Sequence, residues 1–234
     1  MKTLEKIDPR DNLYNKKSIN ALNNHFQNAC EDGDIELVKY LLTSPKLYNK
    51  AEINSNRSWG LVLACGFGRL DVVRFLLTSS ELKYHASIHG LDGEPLKYAC
   101  INGHIDIVKY LLTSDELHEK SSIKYEYNDV IYDACKYGHV DILIYLLEMR
   151  TLKNKNIKYY PKDNDFIIAV ESKQIEIIEF LIIDYEFPIN TKIMSYLKDK
   201  KCDDVLDIVS RKKLKDTLDK NLEIIPTSIH RHKI

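Results

Sequence analysis

Apolar residues recur along this chain in paired short bursts at helical spacing. The clearest pair lies in residues 93–117, where Leu96, Ala99 and Cys100 form one burst and Ile105, Ile107, Val108, Leu111 and Leu112 the other. Between them stands Asn102-Gly103-His104, a tight break in the pattern. The spacing predicts two short antiparallel helices joined at Gly103. One hairpin of this kind leaves its apolar side uncovered, so it needs a neighbour of the same kind.

The chain supplies several. A step of 35 residues from Ala99-Cys100 lands on Ala29-Cys30, Ala64-Cys65, Ala134-Cys135 and Ala169-Val170. The same step carries Gly103 onto Gly33, Gly68 and Gly138, then onto Lys173. It carries Tyr110 onto Tyr40, Phe75, Tyr145 and Phe180, and Leu111-Leu112 onto Leu41-Leu42, Leu76-Leu77, Leu146-Leu147 and Leu181-Ile182. Five copies in register describe a solenoid, in which each unit packs on its neighbours. Such a stack would form one body.

At these residues the chain resembles the ankyrin-repeat family, whose unit is a helix pair with a projecting turn. Glu94-Pro95-Leu96-Lys97-Tyr98-Ala99 stands where that family has Thr-Pro-Leu-His-x-Ala. Gly103-His104 and Gly138-His139 match its helix–helix turn, and residues 72–77 match its second helix. Residues 51–54 and 86–89 look like its connecting loop. The copies here exceed the family's usual 33 residues by about two, and Trp59-Gly60-Leu61-Val62 and Asp129-Val130-Ile131-Tyr132 depart from its helix start. The resemblance implies an all-α ankyrin-repeat solenoid of stacked helix–turn–helix units.

In chain order, residues 1–20 read as a leader or N-terminal cap. Residues 21–187 hold five repeats, whose helix pairs fall near 21–42, 59–82, 93–117, 128–152 and 162–184. Polar connectors carry Ile53, Ile88 and Ile123, each expected to pin a projecting turn to the body. The fifth copy has lost its glycine to Lys173. Ile193, Met194 and Leu197, then Val205, Leu206, Ile208 and Val209, predict a capping helix pair within residues 188–220, because a terminal unit must face water on one side. Residues 221–234 read as a tail.

Composition narrows the function. Forty-four per cent of the 234 residues are hydrophobic and the formal net charge is −1. No apolar run reaches the roughly 18 residues of a membrane helix, and the first residues lack a secretory apolar core. A near-neutral balance argues against nucleic acid as a partner. Arg211-Lys212-Lys213-Leu214-Lys215 is the basic stretch that supports nucleic acid or an acidic partner as an alternative, beside Asp203, Asp204, Asp207 and Asp216.

Cys30, Cys65, Cys100 and Cys135 repeat one per unit. Neighbouring helices lie roughly 8–10 Å apart, beyond the reach of a disulfide, and single rungs cannot gather four zinc ligands. They read as compact buried residues in a reducing compartment, with cytoplasm as the expected location. The Ile, Asn, Lys and Tyr richness suits an AT-rich genome. Similar repeats occur in microbes and viruses living inside eukaryotic cells, so the resemblance implies a host-directed effector, placed in the host cytosol if secreted.

No catalytic, cofactor or metal constellation emerges: the phosphate-loop, His-Glu-x-x-His and Gly-x-Ser-x-Gly patterns are all missing. An enzymatic effector with its chemistry in the atypical C-terminal part is the remaining alternative. His104 and His139 fall on the repeat, and the resemblance implies that they bond backbone in neighbouring turns. His230 and His232 belong to the tail. The aromatic column at Tyr40 reads as packing, with Lys39, Arg74 and Lys109 on a solvated outer face. In ankyrin repeats the residue before the Ala-Cys pair and the two after it face a concave groove. That implies a partner-binding set of Trp59, Leu63, Phe67, Tyr98, Ile101, Asn102, Asp133 and Tyr137, binding another protein and no small-molecule substrate. Exposed aromatics rimmed by polar groups are typical of such sites.

Overall fold

The computed structural model describes residues 9–121, 123–153 and 161–223. The described residues form helices α1 (Pro9–Tyr14), α2 (Ile19–Asp32), α3 (Ile35–Thr43), α4 (Trp59–Gly66), α5 (Leu70–Thr78), α6 (Glu94–Ile101) and α7 (Ile105–Thr113). They continue with α8 (Ile123–Tyr137), α9 (Val140–Lys153), α10 (Asp163–Glu171), α11 (Ile175–Glu179), α12 (Thr191–Asp199) and α13 (Asp203–Glu223). A 3₁₀ turn spans Gly90–Gly93 and a π turn spans Phe180–Asp184. No strand occurs among the described residues. The chain divides into two compact units, Met1–Tyr159 and Tyr160–Ile234.

In the first unit α2, α4, α6 and α8 pack side by side, and α3, α5, α7 and α9 form the layer behind them. The seam between layers is the repeated apolar set. Cys30, Cys65, Cys100 and Cys135 are buried, as are Leu41, Leu76, Leu111 and Leu146. All four of these cysteines are free thiols, and Cys202 is a free, half-buried fifth. Burial pushes the Cys30 and Cys65 thiols far above their ordinary range, since a thiolate cannot be solvated there. Gly60 lets α4 close on α2: a Cβ there would sit 2.6 Å from the Phe26 ring.

Each helix pair turns through one left-handed residue. Gly33, Gly68, Gly103 and Gly138 have φ of 80°, 73°, 78° and 84°. The next residue then returns its N–H to the alanine five back, as in Asp34 to Ala29 (2.9 Å), Arg69 to Ala64 (2.8 Å), His104 to Ala99 (2.9 Å) and His139 to Ala134 (3.0 Å). This closes the orphan carbonyls at each helix end. Position 104 and its equivalents serve twice. His104 Nε2 lies 3.0 Å from the Gly66 carbonyl and His139 Nε2 lies 2.8 Å from that of Ile101, while Arg69 Nε donates to the Glu31 carbonyl at 2.9 Å. Each ring or guanidinium therefore ties one unit to the unit before it. It also occupies the space beside that unit's glycine: a Cβ on Gly103 would sit 2.7 Å from the His139 ring.

The connectors are fixed by backbone bonds at the same step, Ala51 N–H to Leu41 (3.0 Å), Ala86 to Leu76 (2.9 Å) and Ser121 to Leu111 (3.0 Å). Ile88 is buried beneath its turn and Ile53 is half-buried. The expectation for Ile123 needs correction. Ile123 opens α8, which starts five residues before the expected boundary at 128 and takes the place of a projecting turn. The outer column also differs in part from expectation. Tyr40, Phe75 and Tyr110 are buried, but the cations are not simply solvated. Arg10 lies over Tyr40 at 4.6 Å, Lys39 over Phe75 at 5.8 Å, Arg74 over Tyr110 at 5.1 Å and Lys109 over Tyr145 at 5.4 Å. Each cation covers the ring of the next unit, an attraction to the ring face worth about 0.5–1 kcal/mol where exposed. Ahead of the first pair, α1 sets Tyr14 in the core, and the Tyr40 hydroxyl donates to the Asp11 carboxylate.

The second unit holds the fifth helix pair and α12–α13. Lys173 takes the left-handed conformation at φ 56°, and Lys201, at φ 53°, repeats it 28 residues on. Gln174 N–H to Ala169 and Cys202 N–H to Leu197, both 2.9 Å, reproduce the closing bond. Asn190 caps α12 by accepting from Ile193 N–H at 2.9 Å, and Val205, Ile208 and Val209 form the buried side of α13. The expected tail, with His230 and His232, lies largely outside the described residues.

Candidate partner-binding groove

The first-helix layer of the first unit presents two rows to the outside. Leu63, Tyr98 and Asp133 precede the Ala-Cys pairs of α4, α6 and α8. Phe67, Asn102 and Tyr137 stand four residues further along, one helical turn away on the same face. The interior neighbours Ala64, Cys65, Ala99, Cys100, Ala134 and Cys135 are buried. Phe67 remains 48% exposed and Tyr137 42% exposed. Neither ring is folded away, although each stands beside a fully packed seam.

The other expected residues divide in two. Tyr98 is half-buried: it meets Trp59 edge-on at 5.9 Å, and its side chain lies over Gly66, where a Cβ would sit 3.3 Å from the ring. Gly66 thus makes room for Tyr98, and both Tyr98 and Trp59 carry packing as well as surface. Leu63 and Ile101 are also half-buried, and the Ile101 carbonyl accepts from His139. Asn102 is exposed and donates from Nδ2 to the Tyr98 carbonyl at 2.9 Å, which finishes α6. Lys136 extends over the Tyr137 ring at 5.0 Å.

Asp133 departs most from expectation. The sequence places it with the exposed polar rim, whereas it is buried at 8% exposure. Its Oδ2 has no hydrogen-bond partner. Burial raises the pKa of this carboxyl, Lys97 and Lys136 oppose the shift, and Asp129 adds to it. Lys97 pairs with Glu94 at 3.9 Å.

Two exposed aromatics escaped the sequence reading. Tyr48 and Tyr84, 89% and 65% exposed, sit in the connectors rather than on the repeated helices. A cavity of about 440 Å³ lies beside Tyr84, lined also by Leu42, Ala51, Ile53 and Leu82. The signal available was a tyrosine outside the helical pattern, and it does not recur at the repeat step.

Among the described residues no group of three or more His, Cys, Asp or Glu side chains is placed to hold a metal ion. Two of the four cations in the basic stretch on α13 are paired with carboxylates of their own unit. Arg211 pairs with Asp207 at 3.0 Å and Glu179 at 3.6 Å, and Lys212 pairs with Asp216 at 2.9 Å and Glu186 at 3.2 Å. No helix among the described residues is long and apolar enough to cross a membrane.

The fold and this face define an all-α repeat protein built of stacked helix hairpins. Residues 26–122 match the family model for ankyrin repeats, in three copies. That segment of the chain is built of ankyrin repeats. Ankyrin repeats generally serve as protein–protein interaction modules and are typically non-enzymatic. No curated protein matches the chain.

Proposed function

We propose that this protein binds a partner protein, without catalysis, through the first-helix face of its first unit and the projecting turns beside it. The observation that carries the reading is the exposure of Phe67 and Tyr137 on a face whose interior neighbours are closed off. Large exposed rings reduce solubility and contribute little to the core, so they are retained where a partner covers them. Trp59, Leu63, Tyr98, Ile101 and Asn102 complete the proposed face, with Asp133 buried one turn before Tyr137. The test is binding by the variant Phe67→Ser/Tyr137→Ser: its fold should persist while partner affinity falls at least tenfold, since central aromatics commonly carry about 2 kcal/mol or more each. Unchanged affinity would defeat the reading.

The buried free thiols support a reducing, cytoplasmic environment. The role as a host-directed effector rests on the composition and on the resemblance noted above. Its test is to express the chain in eukaryotic cells and recover a host protein that wild type retains and Phe67→Ser/Tyr137→Ser does not. Recovery that is equal for both would count against it. Nucleic-acid binding through α13 is the weaker reading, because Arg211 and Lys212 are already paired with carboxylates.

A further inference from the structure

Where the first connector meets the second, the stacked units leave a cleft of about 440 Å³, lined by Leu42, Ile53, Leu82 and Tyr84 among others. The repeat supplies its own control. One step of 35 residues on, Leu77, Ile88 and Leu117 stand at the places of Leu42, Ile53 and Leu82. Those three are buried, whereas Leu42, Ile53 and Leu82 are each half-buried. His89 and Glu119 take the places of Asn54 and Tyr84 there, and their side chains stand 3.9 Å apart. At the first step Asn54 turns instead to Ser58, His85 and Ser87, and Tyr84 is left 65% exposed. The same apolar trio thus reaches solvent at one step of the array and is closed off at the next. Apolar surface left open in this way marks a place that a partner covers.

Charge tells what kind of partner. Lys50, Glu52 and Lys83 are the charged lining residues, two ammoniums against one carboxylate. Lys50 donates to the Thr43 carbonyl at 3.3 Å, and Lys83 lies over the Tyr84 ring at 5.1 Å. Among the described residues neither pairs with a carboxylate. Lys120, two steps on from Lys50, keeps the equivalent bond to Thr113 at 3.2 Å and adds Asp115 at 2.9 Å. Pro45 stands at the place of Asp115 in the first copy, so Lys50 lacks that neutralising group.

We propose that this cleft binds an acidic segment of a partner protein. An apolar side chain of the segment enters between Leu42, Ile53 and Leu82, and a neighbouring carboxylate meets Lys50 or Lys83. The volume falls within the roughly 300–1,000 Å³ usual for binding clefts, and Tyr84 places an exposed aromatic at the rim, a residue type enriched where interfaces are anchored. A basic segment would meet two ammoniums and is disfavoured, so charge as well as shape selects the occupant. The cleft shares no residue with the first-helix face and does not rest on that reading.

The full chain is used to select from a phage-displayed library of random linear peptides. Selected peptides are measured against wild type, Lys50→Glu/Lys83→Glu and Phe67→Ser/Tyr137→Ser. A control, Lys198→Glu/Lys200→Glu, changes the net charge equally on the second unit. All four lysines are exposed, so the fold should persist. The expected result is a set of peptides that carry aspartate or glutamate beside an apolar residue. Their affinity should fall at least tenfold on Lys50→Glu/Lys83→Glu and stay unchanged on the other two variants. Replacing the peptide carboxylates by amides should cost as much against unaltered protein, so the outcome does not depend on how a variant folds. Equal loss on the control would reveal attraction by net charge alone and overturn the site. Peptides that respond to Lys50→Glu/Lys83→Glu but share no carboxylate also overturn it. Failure to obtain any peptide sensitive to that variant refutes the cleft, and peptides lost only on Phe67→Ser/Tyr137→Ser would do so while leaving the groove standing.

Discussion

The third and fifth copies of the repeat follow the same pattern and solve its turn differently. In the third, Gly103 takes φ 78° and the His139 ring packs against it. In the fifth, Lys173 takes φ 56° with no glycine. The residue that corresponds to His139 in the next helix pair is Cys202, which has no ring to seat. A cavity of about 500 Å³ opens there, lined by Lys173, Lys200, Lys201 and Cys202 among others. The glycine is thus required less by the turn than by the neighbour. A lysine can be forced left-handed at about 1–2 kcal/mol, but no side chain fits where the next unit inserts a histidine. The second helices differ in the same sense: α7 runs regularly to Thr113, whereas α11 gives way to the π turn at Phe180.

The comparison is broken most strongly in the core. Leu111→Ala removes a fully buried side chain with packed helices on either side, and should cost about 2–5 kcal/mol by denaturant unfolding. Leu181→Ala, equally buried but within the π turn, should cost less. Equal losses would remove the distinction between the copies.

The turn residues sharpen it. Gly103→Ala places a Cβ against the His139 ring in a backbone conformation that L side chains resist, and should cost roughly 2 kcal/mol. Lys173→Gly should have the opposite sign, stabilising by about 1 kcal/mol as the left-handed strain is relieved. Thermal melts of the two variants check both directions, and a loss on Lys173→Gly would contradict the explanation.

The helices of the fold were legible because the step of 35 residues repeats the buried set without slippage, from Ala29 to Ala169. The left-handed turn was legible wherever glycine marked it. Lys173 and Lys201 carry no such mark, since their conformation is imposed by the closing bonds to Ala169 and Leu197. The N-terminal extension of α8 was not legible, because residues 123–128 keep the polar character of a connector. Within the candidate site, Phe67 and Tyr137 are exposed, as their position in the repeat suggests. Position could not distinguish Tyr98, which settles over Gly66, or Asp133, which sits at an exposed place in the pattern and is buried by its surroundings.

Smaller effects test the charges and thiols. The Asp133 carboxyl has its pKa raised above the ordinary 3.8 by burial. Its protonated form therefore favours the fold, fully so below the ordinary value, and that contribution is lost as pH rises through the raised one. Asp133→Asn should accordingly melt higher than wild type at neutral pH, with the difference shrinking towards zero in acid. A variant that melts lower at neutral pH would show a hidden partner for the carboxylate. The five free thiols predict that adding a reducing agent leaves the melting temperature unmoved; a shift, or a disulfide detected by mass, would contradict the ladder of separate cysteines.

The central claim is that Phe67 and Tyr137 serve a partner and not the fold, and a thermal melt of Phe67→Ser/Tyr137→Ser tests it before any partner is known. Both rings are more than two-fifths exposed, at 48% and 42%, so the variant should melt within about 2 °C of wild type, less than 1 kcal/mol for a chain of this size. Adding Tyr98→Ser, which removes the ring packed on Gly66 and Trp59, should lower the melt further. A drop of several degrees in the double variant alone would assign these rings to the core and contradict the groove.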